Sequence, residues 1–176
     1  MSEREMWEQK RRIDRLMETG QLDRALSELD FLVKVEGESA FAHNKRGVIA
    51  ARQGELGRAK AYFEKALALD QRFVQAYSNL GNIYREAGDL DRAVEFYQQA
   101  IRWDPEYGTA YHNLGVVYKQ KGDLHKAVEH LKKASRLQRT IARRELAEVS
   151  PVRRNPATWL WIALLIALLL YYRART

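Results

Sequence analysis

The sequence predicts an all-α protein, a solenoid of about four helix–turn–helix repeats plus one C-terminal transmembrane helix. Three observations carry that prediction. Gly20, Gly54, Gly88 and Gly122 stand 34 residues apart, each opening the same short pattern. Strong helix formers (Ala, Leu, Glu, Arg, Lys, Gln) dominate a 176-residue chain with only three prolines. Residues 157–172 carry no charge, although 30% of the whole chain is charged.

The repeat comes first. Two residues after each glycine stands Leu22, Leu56, Leu90 or Leu124. Five residues after it stands Ala25, Ala59, Ala93 or Ala127, preceded by Arg24, Arg58, Arg92 or Lys126. Residues 74–107 read Tyr77, Leu80, Gly81, Tyr84, then Gly88, Ala93, Tyr97, Ala100 and Pro105. Residues 108–141 read Tyr111, Leu114, Gly115, Tyr118, then Gly122, Ala127, Leu131 and Ala134, with Arg139 where proline is expected. Segment 40–73 keeps His43, Gly47, Gly54, Ala59, Phe63 and Ala66, and segment 6–39 keeps mainly its second half. In these residues the chain resembles the tetratricopeptide repeat family over positions 6–141, behind a short tail at 1–5.

That resemblance implies eight helices in four stacked hairpins. A hairpin cannot bury its own apolar stripe, so each needs the next. Gly47, Gly81 and Gly115 let the first helix of a hairpin (helix A) approach the second (helix B). The glycine ending helix A takes a positive φ. The degenerate first segment, with Arg12 where leucine is expected, is predicted to be a polar cap. The fourth repeat lacks its closing proline, so its second helix is expected to continue from about Leu124 to Val149, before Pro151. Residues 142–156 then form a helical extension and basic linker.

Residues 157–172 are predicted to span a membrane. Sixteen residues at about 1.5 Å each give roughly 24 Å, short of the ~30 Å hydrocarbon core. Trp159 and Trp161 at one end, and Tyr171 and Tyr172 at the other, are expected at the interfaces, with Arg153, Arg154 and Arg173 snorkelling beside them. Arginines 139, 143, 144, 153 and 154 on the N-terminal side put the repeats in the cytoplasm by the positive-inside rule. Residues 173–176 leave a short tail, which implies post-translational insertion. The membrane read here is the bacterial cytoplasmic membrane, with the mitochondrial outer membrane as the alternative. Nothing in the N-terminal twelve residues resembles a secretory signal.

Charge and chemistry exclude other classes. Of the net +7, six arginines against Glu145 and Glu148 place +4 in residues 142–176, which leaves +3 for residues 1–141. A nucleic-acid-binding domain concentrates its positive charge on the folded face, so nucleic acid is not an expected partner. Cysteine is absent. His43, His112, His125 and His130 show no metal-ligand spacing, and every glycine falls to the repeat rather than to a phosphate loop. No enzyme, metal or cofactor is predicted.

A binding module is. Family geometry implies that helices A line a concave groove, where Asn44, Lys45, Arg52, Ser78, Asn79, Asn82, Arg85, His112, Asn113 and Lys119 would meet a protein or peptide. Asn79 and Asn113 occupy one place in successive repeats, and an amide that both donates and accepts suits an extended backbone. Counting Lys10, Arg11, Lys45, Arg52, Arg85 and Lys119 against Asp14, Glu18 and Glu86 makes the groove positive, which suits an acidic partner segment. Some relatives clamp a terminal carboxylate. Here Asn82 and Asn113 match, but Ser78 replaces lysine and Ala147 replaces arginine, so tail clamping is not expected. The function read is a membrane-anchored adaptor. The alternatives are an assembly subunit whose anchor packs into a larger complex, and an outer-membrane fission or import adaptor.

Overall fold

In the computed structural model, residues 2–149, 160–162, 164–167 and 173 are described. Eight helices precede residue 150: α1 (Glu3–Glu18), α2 (Leu22–Glu36), α3 (Ala40–Arg52), α4 (Leu56–Leu69), α5 (Val74–Glu86), α6 (Leu90–Trp103), α7 (Gly108–Gln120) and α8 (Leu124–Val149). The described residues contain no strand. The chain divides into two compact units, residues 1–135 and 136–176.

Local chemistry sets the helix ends of the first unit. After α3, Gly54 takes φ +79°, and its N–H donates to Ala51 O at 3.0 Å while Glu55 N donates to Ala50 O at 2.9 Å. Paired bonds of this kind satisfy the last carbonyls of a helix, and the left-handed residue they require is tolerated best by glycine. The same two bonds recur after α1, α5 and α7, always at the glycine of the 34-residue series. Some helix starts are capped by side chains: Asp89 and Asp123 accept from Arg92 N and Lys126 N at 3.1 and 3.0 Å. Ser2 and Glu5 form a reciprocal capping box on α1.

Packing follows the repeat. Alanines at one register, Ala25, Ala59 and Ala93, are fully buried, as are Phe63 and Tyr97 one turn on. At Gly47 and Gly81 the backbone of helix A runs against those rings; a Cβ would meet Phe63 or Tyr97 at 2.5 Å. Three core clusters succeed one another along the chain, and each joins one hairpin to the next.

The first hairpin is polar on its open side, with Glu5, Glu8, Gln9 and Arg12 around a hollow of about 600 Å³, yet Phe31 and Val35 also line it, each about half exposed. Arg12 is accommodated by an ion pair to Glu28 at 2.9 Å, and Gln9 bonds the other oxygen of that carboxylate.

Helix α8 passes Arg139 without a break and reaches Val149. Among the described residues no helix is long and apolar enough to cross a membrane. Of the predicted span, Leu160–Ile162 and Leu164–Ala167 are helical and exposed. The remainder, including Trp159, Tyr171 and Tyr172, lies outside the described residues, as do Arg153 and Arg154.

Candidate peptide-binding groove

The first helices of successive hairpins are joined side to side by amide groups. Asn79 Nδ2 donates to Asn44 Oδ1 at 2.9 Å, linking α5 to α3. Asn113 Nδ2 donates to Asn82 Oδ1 at 3.1 Å and to Ser78 Oγ at 3.4 Å, linking α7 to α5. Asn82 Oδ1 also accepts from the hydroxyl of Tyr97 at 2.7 Å. Asn44 and Ser78 are buried and Asn79, Asn82 and Asn113 half-buried, so these bonds satisfy one amide and one hydroxyl that water barely reaches. The sequence predicts both functions of Asn79 and Asn113 for a partner. The structure commits their donors to the neighbouring repeat, and what these bonds leave unused is Asn79 Oδ1, Asn113 Oδ1 and Asn82 Nδ2.

The cations are similarly divided. Lys45 pairs with Asp14, and Lys10 with Glu36 at 3.3 Å, both ammonium groups lying over the Phe41 ring at 5.2 and 5.7 Å. Glu36 comes from α2, so a count restricted to helices A omits it. Arg11 is drawn to Trp7, 4.7 Å from the ring centroid. Arg52 Nη1 donates to the Met17 carbonyl at the C-terminal end of α1, where a cation suits the helix dipole. Arg85 sits beside the Tyr97 hydroxyl, whose pKa burial pushes up and Arg85 partly draws back down. Lys119 and His112 are exposed at the far end. The predicted positive face therefore has five of its six cations engaged within the protein, Lys119 being the exception among the contacts described.

Between α3 and α5 the surface opens into a cavity of about 250 Å³. Val48, Ala51, Phe63 and Ile83 supply apolar walls, and Arg52, Asn79, Asn82 and Glu86 supply polar ones. The sequence reading picks out Arg52, Asn79 and Asn82 but misses the apolar residues. Their signal is Val48 where the neighbouring repeats have Asp14 and Asn82, and Ala51 where the next repeat has Arg85.

Two histidines pack rather than coordinate. His43 Nε2 lies 2.9 Å from Glu38, its Nδ1 is buried with no hydrogen-bond partner, and burial holds its pKa below 6.5. His130 stacks on Tyr118 at 5.4 Å, and its pKa is lowered for the same reason.

A family model described as tetratricopeptide repeat matches residues 38–102 and 74–140. No curated protein matches the sequence. Among solved structures, the crystal structure of MamA is similar at 28% identity, with 78% of this chain and 81% of that one covered and a TM-score of 0.62. PilF of Pseudomonas aeruginosa is similar at 25% identity, covering 76% of this chain and 61% of that one, with a TM-score of 0.67. The second TPR of Spaghetti (RPAP3), solved bound to the HSP90 peptide SRMEEVD, is 22% identical over 57% of this chain and 93% of that one, with a TM-score of 0.54; this likeness concerns the fold alone.

Proposed function

The chain belongs to the tetratricopeptide repeat family, and on that premise we propose that it is a membrane-tethered adaptor that holds an extended segment of a partner protein against helices α3, α5 and α7. The observation that supports this reading most is the row of amides linking those helices. It leaves acceptors and a donor beside an open cavity, which is what an extended backbone needs. Binding, rather than catalysis, also suits His43 and His130, which are used in packing. Acidic residues of the partner would meet Arg85 and Lys119, neither of which pairs with an acidic side chain among the described residues.

The tether is residues 157–172. Eight leucines and isoleucines there favour insertion by about 2–5 kcal/mol, and the flanking arginines favour a cytoplasmic repeat domain. The bacterial cytoplasmic membrane is the proposed location.

Crosslinking in native membranes followed by pull-down of the full chain tests the adaptor reading. A partner captured by the wild type should be lost from Asn79→Ala/Asn113→Ala at any salt, and from Arg85→Glu/Lys119→Glu chiefly at low salt. Capture that survives both pairs would place the partner elsewhere. An assembly subunit differs in one respect: replacing residues 157–172 with an unrelated hydrophobic helix would abolish its function and spare that of an adaptor.

A further inference from the structure

The α3/α5 cavity has a character that its neighbours lack. Moving 34 residues forward along the register turns Val48 into Asn82, Ala51 into Arg85 and Phe63 into Tyr97. There the Tyr97 hydroxyl and Asn113 Nδ2 both bond Asn82 Oδ1, so polar groups cross the equivalent space. Moving 34 residues back turns Val48 into Asp14 and Asn79 into Lys45, and that pair forms an ion bridge. Among the three junctions, the middle one alone combines an aliphatic wall with a phenyl floor, Phe63 being 1% exposed.

We propose that this cavity is a selectivity pocket for one wholly apolar side chain of the partner, whose backbone lies across Asn79 and Asn82. The inference rests on the groove reading above and specifies its partner class. Size supports it: about 250 Å³ falls below the roughly 300–1,000 Å³ of pockets that enclose whole small molecules, but it suits a side chain delivered by a chain outside. Chemistry narrows the occupant. The lining holds one cation, Arg52, and one anion, Glu86, whose formal charges cancel, so a charged side chain would lose hydration without gaining a net counter-charge. Tyrosine or tryptophan would bring a polar tip to a floor where this repeat has phenylalanine and the next has a hydroxyl. At the mouth, Asn79 Oδ1 accepts the backbone N–H beside the anchored residue, and Asn82 Nδ2 donates to its carbonyl.

The test uses the full chain in detergent on an array of random nonapeptides, acetylated and amidated to remove terminal charges. The peptides retained should share an apolar residue at one fixed position. Ala51→Leu, which fills the pocket, should weaken the best of them about tenfold or more. Ile83→Ala, which enlarges it, should shift the preference towards larger apolar residues, and it carries the test if Ala51→Leu does not fold. Retained peptides with no shared apolar position, or with affinities insensitive to both variants yet lowered by Arg85→Glu, would overturn the pocket and leave the groove standing. An array that retains no peptide at all would overturn the groove reading and the pocket with it.

Discussion

Gly81 and Gly57 are both helical glycines, and the structure gives them opposite fates. A methyl group on Gly81 would stand 2.5 Å from the Tyr97 ring, whereas nothing lies within 4 Å of one on Gly57. Tyr97 is fully buried and cannot swing out, so Gly81→Ala should destabilise the full chain by about 1–3 kcal/mol. Gly57→Ala relieves only the entropy of a helical glycine and should stabilise by about 0.5–1 kcal/mol. Urea titrations followed by circular dichroism would read both, and equal signs would refute the packing argument. His43 makes a second prediction at this scale. Burial is the main cause of its lowered pKa; Glu38 opposes it, while Arg46 and Lys65 add to it. The unfolded chain thus binds more protons below about pH 6.5, and stability is complete above that value and falls as the pH drops through it. His43→Phe should therefore lessen the loss of stability between about pH 7.5 and 5.5, leaving the share that half-buried His130 contributes in the same direction, and an unchanged slope would remove His43 as a source. The sequence makes the spacer glycines legible, because their register is fixed. It hides what Arg52 and Lys10 touch, since Met17 and Glu36 belong to other helices and no local pattern couples them.

The hairpins show which element boundaries a sequence can specify. Every turn between helices A and B carries its own glycine, so those boundaries are locally encoded. The turn after α2 also has a glycine, Gly37 at φ +82°, but those after α4 and α6 lean on other signals: Asp70 and Asp104 accept from Arg72 N and Glu106 N at 2.8 Å, and Pro105 follows in one of them. Arg139 occupies the register of that proline, and α8 continues through it. Restoring the stop by Arg139→Pro should therefore end α8 near residue 137, since proline in a helix interior costs about 3 kcal/mol. The expected outcome is the loss of helical signal from the 136–149 stretch, with the urea midpoint of the repeats nearly unchanged. If the helical content stays the same, the absence of proline is not what lets α8 run on. The amide row gives elements a second kind of link. Asn113→Ala removes two bonds between α7 and α5 and leaves Ser78 without one of its partners, so it should cost about 1–2 kcal/mol, measurable in the same titration. That cost must be subtracted before any loss of partner binding is ascribed to the groove.

At the scale of the whole molecule, the distribution of charge matters more than its sum. Residues 142–176 carry +4 of the net +7, and that excess brackets the apolar run. The repeats hold their own charges in short pairs such as Lys10–Glu36 and Arg46–Asp30. A chain built this way needs no nucleic acid to account for its basicity, and a membrane tether accounts for both the arginines and the run between them. The proposed tether makes the last prediction. Arginine at both Leu165 and Leu168 would add about 5–7 kcal/mol to the cost of insertion, against a gain of about 2–5 kcal/mol from the leucines and isoleucines. The sign of the balance reverses, so Leu165→Arg/Leu168→Arg should move the protein from the membrane pellet to the supernatant in alkaline carbonate. The repeats should remain folded, because the substituted positions lie in the second unit and the core clusters of the first are complete within residues 13–127. A conservative control, Leu165→Ile/Leu168→Ile, should stay in the pellet. If the double arginine variant stays there too, residues 157–172 do not span the bilayer, and the repeats are held at the membrane by a partner instead.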